Sequence, residues 1–206
     1  MTRYKTIAET VAAEHIEKRS RFICLAAPVR DEAEAAAVLE QARARHPDAN
    51  HNCYAYILRA GSIQRCSDDG EPQGTAGLPI LEVLRHRGVQ DVIVVVTRYF
   101  GGTLLGAGGL IRAYSLGAAL GLDAAIILDM RLCTVASIEL PYKGYGKLQN
   151  LLAAFGAAVL EDSFGEKVNL RFRIAAEKFP ALEKEIAEMS AGSARPVVVG
   201  EEFAPC

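Results

Sequence analysis

Hydrophobic and polar positions change rhythm several times along the chain. In VNLRFRI, Val168, Leu170, Phe172 and Ile174 alternate with Asn169, Arg171 and Arg173. That period of two predicts a strand with one buried face and one wet face. DVIVVV (91–96) is apolar without interruption after its first residue. It predicts a strand covered on both faces. Strands are also expected at roughly 4–12 and 19–29, and over the aromatic-rich HNCYAYIL (51–58). DEAEAAAVLEQARARH reads as a helix in which Asp31 is the N-cap and Glu34 stands three residues on. PILEVLRHRG predicts a second helix, with Pro79 in its first turn and Gly88 as its stop. LIRAYSLGAALGLDAA predicts a third, small-sided enough to pack closely on a sheet and ending near Gly121.

From about residue 131 the pattern restarts. LCTVASIEL, GYGKLQNLLAAFG, AAVLEDSFGEKVNLRFRI, FPALEKEIAEMSAG and RPVVVG give strand, helix, two strands, helix and strand. This is the split βαββαβ order. The chain therefore reads as an α+β protein of two domains, residues 1–130 and 131–206, with no long linker between them.

Two loops hold the candidate chemistry. TRYFGGTLLGAGGLIRAY (97–114) places Gly101, Gly102, Gly106, Gly108 and Gly109 between a buried strand and a helix, where backbone N–H groups and the helix dipole can hold an anion. The phosphate-loop pattern is absent, because no Lys-Ser/Thr follows the glycines. The dinucleotide fingerprint fails too, since Ile111 stands where its third glycine belongs. The same glycines can instead supply positive φ and close helix–sheet contact. Arg98 and Arg112 flank the loop and could converge on a phosphate. Equally, they could pair with Asp68, Asp69 or Glu71 of the second loop, SDDGEPQGTAG (67–77). Those three carboxylates could serve Mg²⁺, or turn and capping chemistry. His51, Cys53 and Cys66 form the one His/Cys group to test for zinc, but Cys-x-x-Cys spacing is missing. No Gly-x-Ser-x-Gly elbow occurs.

Charge narrows the partners. The net charge is −2, with fourteen Lys/Arg against fifteen Asp/Glu up to residue 130 and nine against ten beyond it. Neither part is a basic module, so RNA binding would rest on a local patch. No run of eighteen apolar residues predicts a membrane span, and MTRYKTIAETV lacks the apolar segment of an export signal. Five scattered cysteines then read as reduced thiols, and the expected location is cytoplasmic.

EKRSRFI (17–23), HNCYAYIL, SDDGEPQGTAGLPIL (67–81) and VVVTRYFGGTLLGAGGLIRAY (94–114) together resemble the IMPACT/YigZ family. The C-terminal βαββαβ segment looks like the extra domain that bacterial members append. The resemblance implies a first domain like the second domain of small-subunit ribosomal protein five. It implies a second, ferredoxin-like domain similar to those of elongation factor G. Because both relatives work on the ribosome, it also implies a non-enzymatic role in translation or its regulation, with RNA, the ribosome or a regulatory protein as partner. Its surface would join Lys18, Arg19, Arg21, Arg98 and Arg112 to the glycine loop, extended by Arg171 and Arg173. No cofactor, metal or membrane is expected on that reading. The alternative is a Mg²⁺-dependent phosphate-ester or nucleotide enzyme using Asp68, Asp69, Glu71 and the glycines.

Overall fold

The computed structural model describes residues 2–205 and has a mixed α+β architecture in two compact units, residues 4–128 and residues 129–205 with 2–3. In chain order the elements are β1 (Arg3–Ile7), β2 (Val11–Glu17), β3 (Ser20–Pro28), α1 (Glu32–Arg45), β4 (His51–Leu58), β5 (Ile63–Ser67), α2 (Gly77–Arg87), β6 (Val92–Tyr99) and α3 (Ala107–Asp123). Then follow β7 (Ile127–Leu140), α4 (Tyr142–Phe155), β8 (Ala158–Phe164), β9 (Val168–Ala175), α5 (Phe179–Met189) and β10 (Val197–Pro205).

In the first unit, β2-β3-β6-β4-β5 form an antiparallel sheet. One face carries α1 over Ala27, Tyr56, Leu58, Ile93 and Val95. The other carries α2 and α3 over Phe22, Cys24, Cys53, Val94 and Val96. This double cover is why β6 is apolar at consecutive positions rather than at alternate ones. At the start of α1, Asp31 accepts the Glu34 N–H at 2.8 Å, while the Glu34 carboxylate takes the Arg30 N–H at 2.8 Å. Asp31 thus satisfies a donor that the first helical turn leaves without an intrahelical partner, and Glu34 ties down the residue before the cap.

In the other unit, βαββαβ gives the strand order β10-β7-β9-β8, every pair antiparallel, and β1 joins the same sheet beside β7. Val168, Leu170, Phe172 and Ile174 face a core shared with Leu148, Leu152, Leu182 and Ile186. Asn169 and Arg171 lie on the wet side, as the alternation requires.

Three sequence expectations change. The strand foreseen at 4–12 is two strands in different sheets, broken between Ile7 and Val11. β2 and β5 are edge strands whose exposed polar residues hid their period: the foreseen strand reached only the first two residues of β2, and β5 was not foreseen. Gly121 does not end α3 but lies inside it. A Cβ there would stand 2.3 Å from the Cys24 sulfur, so the glycine is needed for helix–sheet approach. Cys24, Cys53 and Cys133 are buried and Cys66 is exposed; Cys206 lies outside the described residues. Among the described residues no helix is long and apolar enough to cross a membrane.

Candidate functional site

The antiparallel register puts three separated residues in line at one end of the first unit's sheet. Phe22 of β3 and His51 of β4 both stand opposite Arg98 of β6. Arg98 is buried, and its Nη1 donates to Glu71 Oε1 at 2.6 Å. Nη2 donates to Ser20 Oγ at 3.3 Å, and the guanidinium lies 5.5 Å from the Phe22 ring centroid and 5.6 Å from that of Phe100. Tyr114 of α3 donates its hydroxyl to the same Glu71 Oε1 at 2.6 Å. Arg98 therefore takes the ion-pair alternative, and Glu71 is its partner. Burial, followed by the neighbouring Cys53 and Glu71, raises the Tyr114 pKa far above the phenol range, so its hydroxyl stays a donor.

The other two loop carboxylates serve the backbone. Asp68 Oδ1 accepts the N–H groups of Ala76 and Gly77, and Oδ2 accepts that of Gly74, all within 3.0 Å. It thus caps the start of α2, which has no side chain from its own N-cap residue, Ala76. Burial pushes the Asp68 pKa up, but the hydrogen bonds from Gly74, Gly77 and Ala76 outweigh it and the net shift is downward. Asp69 Oδ2 accepts the Asn52 N–H at 2.6 Å, and its Oδ1 pairs with Arg43 at 3.2 Å. The Asp68 and Asp69 carboxylates are directed to different partners rather than to one shared point. Among the described residues, no group of three or more His, Cys, Asp or Glu side chains is placed to hold a metal ion. Cys53 donates its thiol to the Asp68 carbonyl, and burial raises its pKa well above the ordinary thiol range. It is a packed thiol, held protonated at neutral pH.

Between this network and the glycine loop opens a cleft of about 450 Å³, lined by His51, Glu71, Pro72, Arg98, Phe100, Leu104, Leu105 and the first residues of α3. Phe100 is 45% exposed and Leu104 83%. The glycines work differently from one another. Gly101 packs against the Arg19 backbone so closely that a Cβ would lie 2.1 Å from it. Gly102 and Gly106 adopt φ of +83° and +73°. Gly108 and Gly109 lie in the first turn of α3. Gly106, the N-cap residue, has no side chain to cap that helix.

Arg112 does not meet Arg98. It lines a second depression with Glu17, Lys18, Leu105 and Gly109, and Leu105 lines both hollows. Lys18 and Arg19 form the exposed two-residue tip of the β2–β3 hairpin, at φ +44° and +69°. Among the described residues, Lys18, Arg19 and Arg112 make no ion pair, whereas Arg21 pairs with Glu14 at 2.6 Å. In the other unit Arg171 is exposed, and Arg173 pairs with Glu202 at 2.9 Å. Ser20, Tyr114, Phe100 and Leu104 were not foreseen as site residues. Phe100 and Leu104 carried a signal, being large apolar residues inside a glycine loop. Ser20 and Tyr114 carried none, because sheet register and helix packing bring them to Arg98.

Comparison with known proteins places this site in a wider set. Residues 18–122 match the Impact N-terminal domain, and residues 138–193 match DUF1949, a domain of unknown function. The chain is 37% identical over 190 residues to IMPACT family member YvyE of Bacillus subtilis (strain 168), covering 92% of this chain and 88% of that protein. It is 34% identical over 187 residues to IMPACT family member YigZ of Escherichia coli (strain K12), covering 89% and 92%. A crystal structure of a hypothetical protein superposes with a TM-score of 0.64 at 33% identity, covering 98% of this chain and 100% of that one.

Proposed function

The chain belongs to the IMPACT family, and on that premise we propose that it is a cytoplasmic, non-enzymatic protein that binds single-stranded RNA in translation or its regulation. One observation carries this reading. Lys18 and Arg112, which make no ion pair among the described residues, line a hollow that shares Leu105 with the cleft of the exposed Phe100 and Leu104, and Arg19 stands next to Lys18 at the hairpin tip. Cations that track phosphates, next to an aromatic ring that can stack a base, are the elements of sequence-tolerant RNA binding. A patch of this kind functions on a chain of net charge −2 because phosphate attraction is local. The βαββαβ order and the strand order β10-β7-β9-β8 support a ferredoxin-like second domain of the elongation factor G type. On this reading the first domain corresponds to the second domain of small-subunit ribosomal protein five. No observation favours the Mg²⁺-dependent alternative, since Asp68 and Asp69 are engaged by backbone N–H groups and Arg43.

The test is fluorescence anisotropy with a labelled single-stranded RNA, repeated across a salt series. Affinity should fall with salt, and Lys18→Ala and Arg112→Ala should each weaken binding and lower the salt slope by about 1. No retention of RNA at about 50 mM salt overturns the reading. Retention on ribosomes without RNA affinity would assign the patch to a protein partner.

A further inference from the structure

Resting on that RNA reading, we propose that the cleft beside Phe100 selects nucleobases bearing an exocyclic amino group, which His51 Nε2 and Glu71 Oε2 clamp between them. His51 Nδ1 lies 2.8 Å from the carbonyl oxygen of Asp69. A carbonyl only accepts, so Nδ1 carries a proton, and in the neutral tautomer this selects, Nε2 is a lone-pair acceptor. The Glu71 carboxylate divides its work in the same way. Oε1 takes both Arg98 and Tyr114, while Oε2 accepts no hydrogen bond among the described residues. Nε2 and Oε2 stand 3.9 Å apart, too far for a hydrogen bond to each other. Both residues line the cleft.

Two acceptors facing one gap need a donor with two hydrogens. An amino nitrogen placed ~2.9 Å from each would send out its two bonds roughly 85° apart, within the tolerance of an N–H···acceptor angle. The remaining wall fits a planar, mostly apolar ring. Pro72, Phe100, Leu104 and Leu105 line it, and the Arg98 guanidinium lies 5.6 Å from the Phe100 ring centroid. Carboxylate and imidazole acceptors reading an amino edge, with an aromatic ring for the base plane, constitute direct base recognition. Lys18, Arg19 and Arg112 carry the phosphate backbone outside the cleft.

The experiment compares the unmodified protein's affinity for a hexamer of adenosine with that for a hexamer of purine riboside. The two differ only in the amino group. The adenosine hexamer should bind about tenfold more tightly, the scale of one well-made base contact. The variant His51→Phe should bring the adenosine hexamer down to within about threefold of the other. Lys18→Ala should weaken both hexamers equally. Equal, salt-dependent binding of the two hexamers by the unmodified protein overturns the base clamp and leaves RNA binding standing. Failure to bind either one overturns both. Because the first comparison needs no variant, misfolding of His51→Phe does not rescue the proposal.

Discussion

Removing Arg98 strands the Glu71 carboxylate in a place water scarcely reaches. The two side chains are 6% and 3% exposed, and Nη1 to Oε1 is 2.6 Å. In Arg98→Met only the Tyr114 hydroxyl would still serve Glu71 Oε1. Breaking one partner of a buried pair costs about 3–5 kcal/mol, because the remaining charge is left uncompensated. For a unit of this size that corresponds to a melting temperature lower by roughly 10–20 °C. Glu71→Gln should cost a similar amount by leaving the guanidinium unpaired. The double variant should recover about 2 kcal/mol relative to the sum, since residues within one network are not additive. The chain has no tryptophan, so urea unfolding is followed by far-UV circular dichroism and by hydrogen exchange of the β6 amides. Single-variant losses below about 1 kcal/mol that simply add would refute the reasoning, for they would mean that water screens the pair. The consequence for function is direct. Weaker RNA binding by an Arg98 variant reports the folding of the cleft, whereas Lys18 and Arg112 report phosphate contact.

Gly101→Ala should destabilise the first unit by at least about 2 kcal/mol, because the added methyl meets the rigid Arg19 backbone rather than a movable side chain; thermal unfolding checks it, and an unchanged midpoint contradicts it. Arg19→Gly should stabilise by about 1 kcal/mol, since φ of +69° is strained for arginine and free for glycine, although the same change weakens RNA binding. Burial lowers the His15 pKa, and both its ring nitrogens lack hydrogen-bond partners where the ring stacks on Phe22. The unfolded chain therefore binds the His15 proton first, and stability present above about 6.5, the ordinary histidine value, is lost as pH falls from there through the lower folded value. Denaturation midpoints measured from pH 7.5 to 5 should show this decline, and His15→Phe should flatten it.

Much of the fold was written in local pattern. The one-sided β9, the doubly covered β6, the Asp31 cap of α1 and the glycine stops at Gly88 and Gly156 follow from periodicity and backbone freedom within a few residues. β5 and most of β2 were not legible, because an edge strand is specified by its neighbour's hydrogen bonds more than by its own apolar rhythm. Gly121 misled for a related reason. Its lack of a side chain answers Cys24 on another element, and a helix-stop rule reads only the residues beside it.

The candidate site divides along the same line. The sequence by itself determined which residue types were available: five glycines with an arginine on each side, and three carboxylates in a turn-rich loop. It also determined that two familiar nucleotide motifs were missing. Only the tertiary structure decided how those groups were spent. Antiparallel register set Arg98 opposite Phe22 and His51, and α3 brought Tyr114 to Glu71. A buried guanidinium needs a buried counter-charge, so Arg98 went to the core pair, while Arg112, on the outer side of α3, stayed exposed. Partner choice among charges depends on distances across the fold and on burial, and neither quantity exists until the chain is packed.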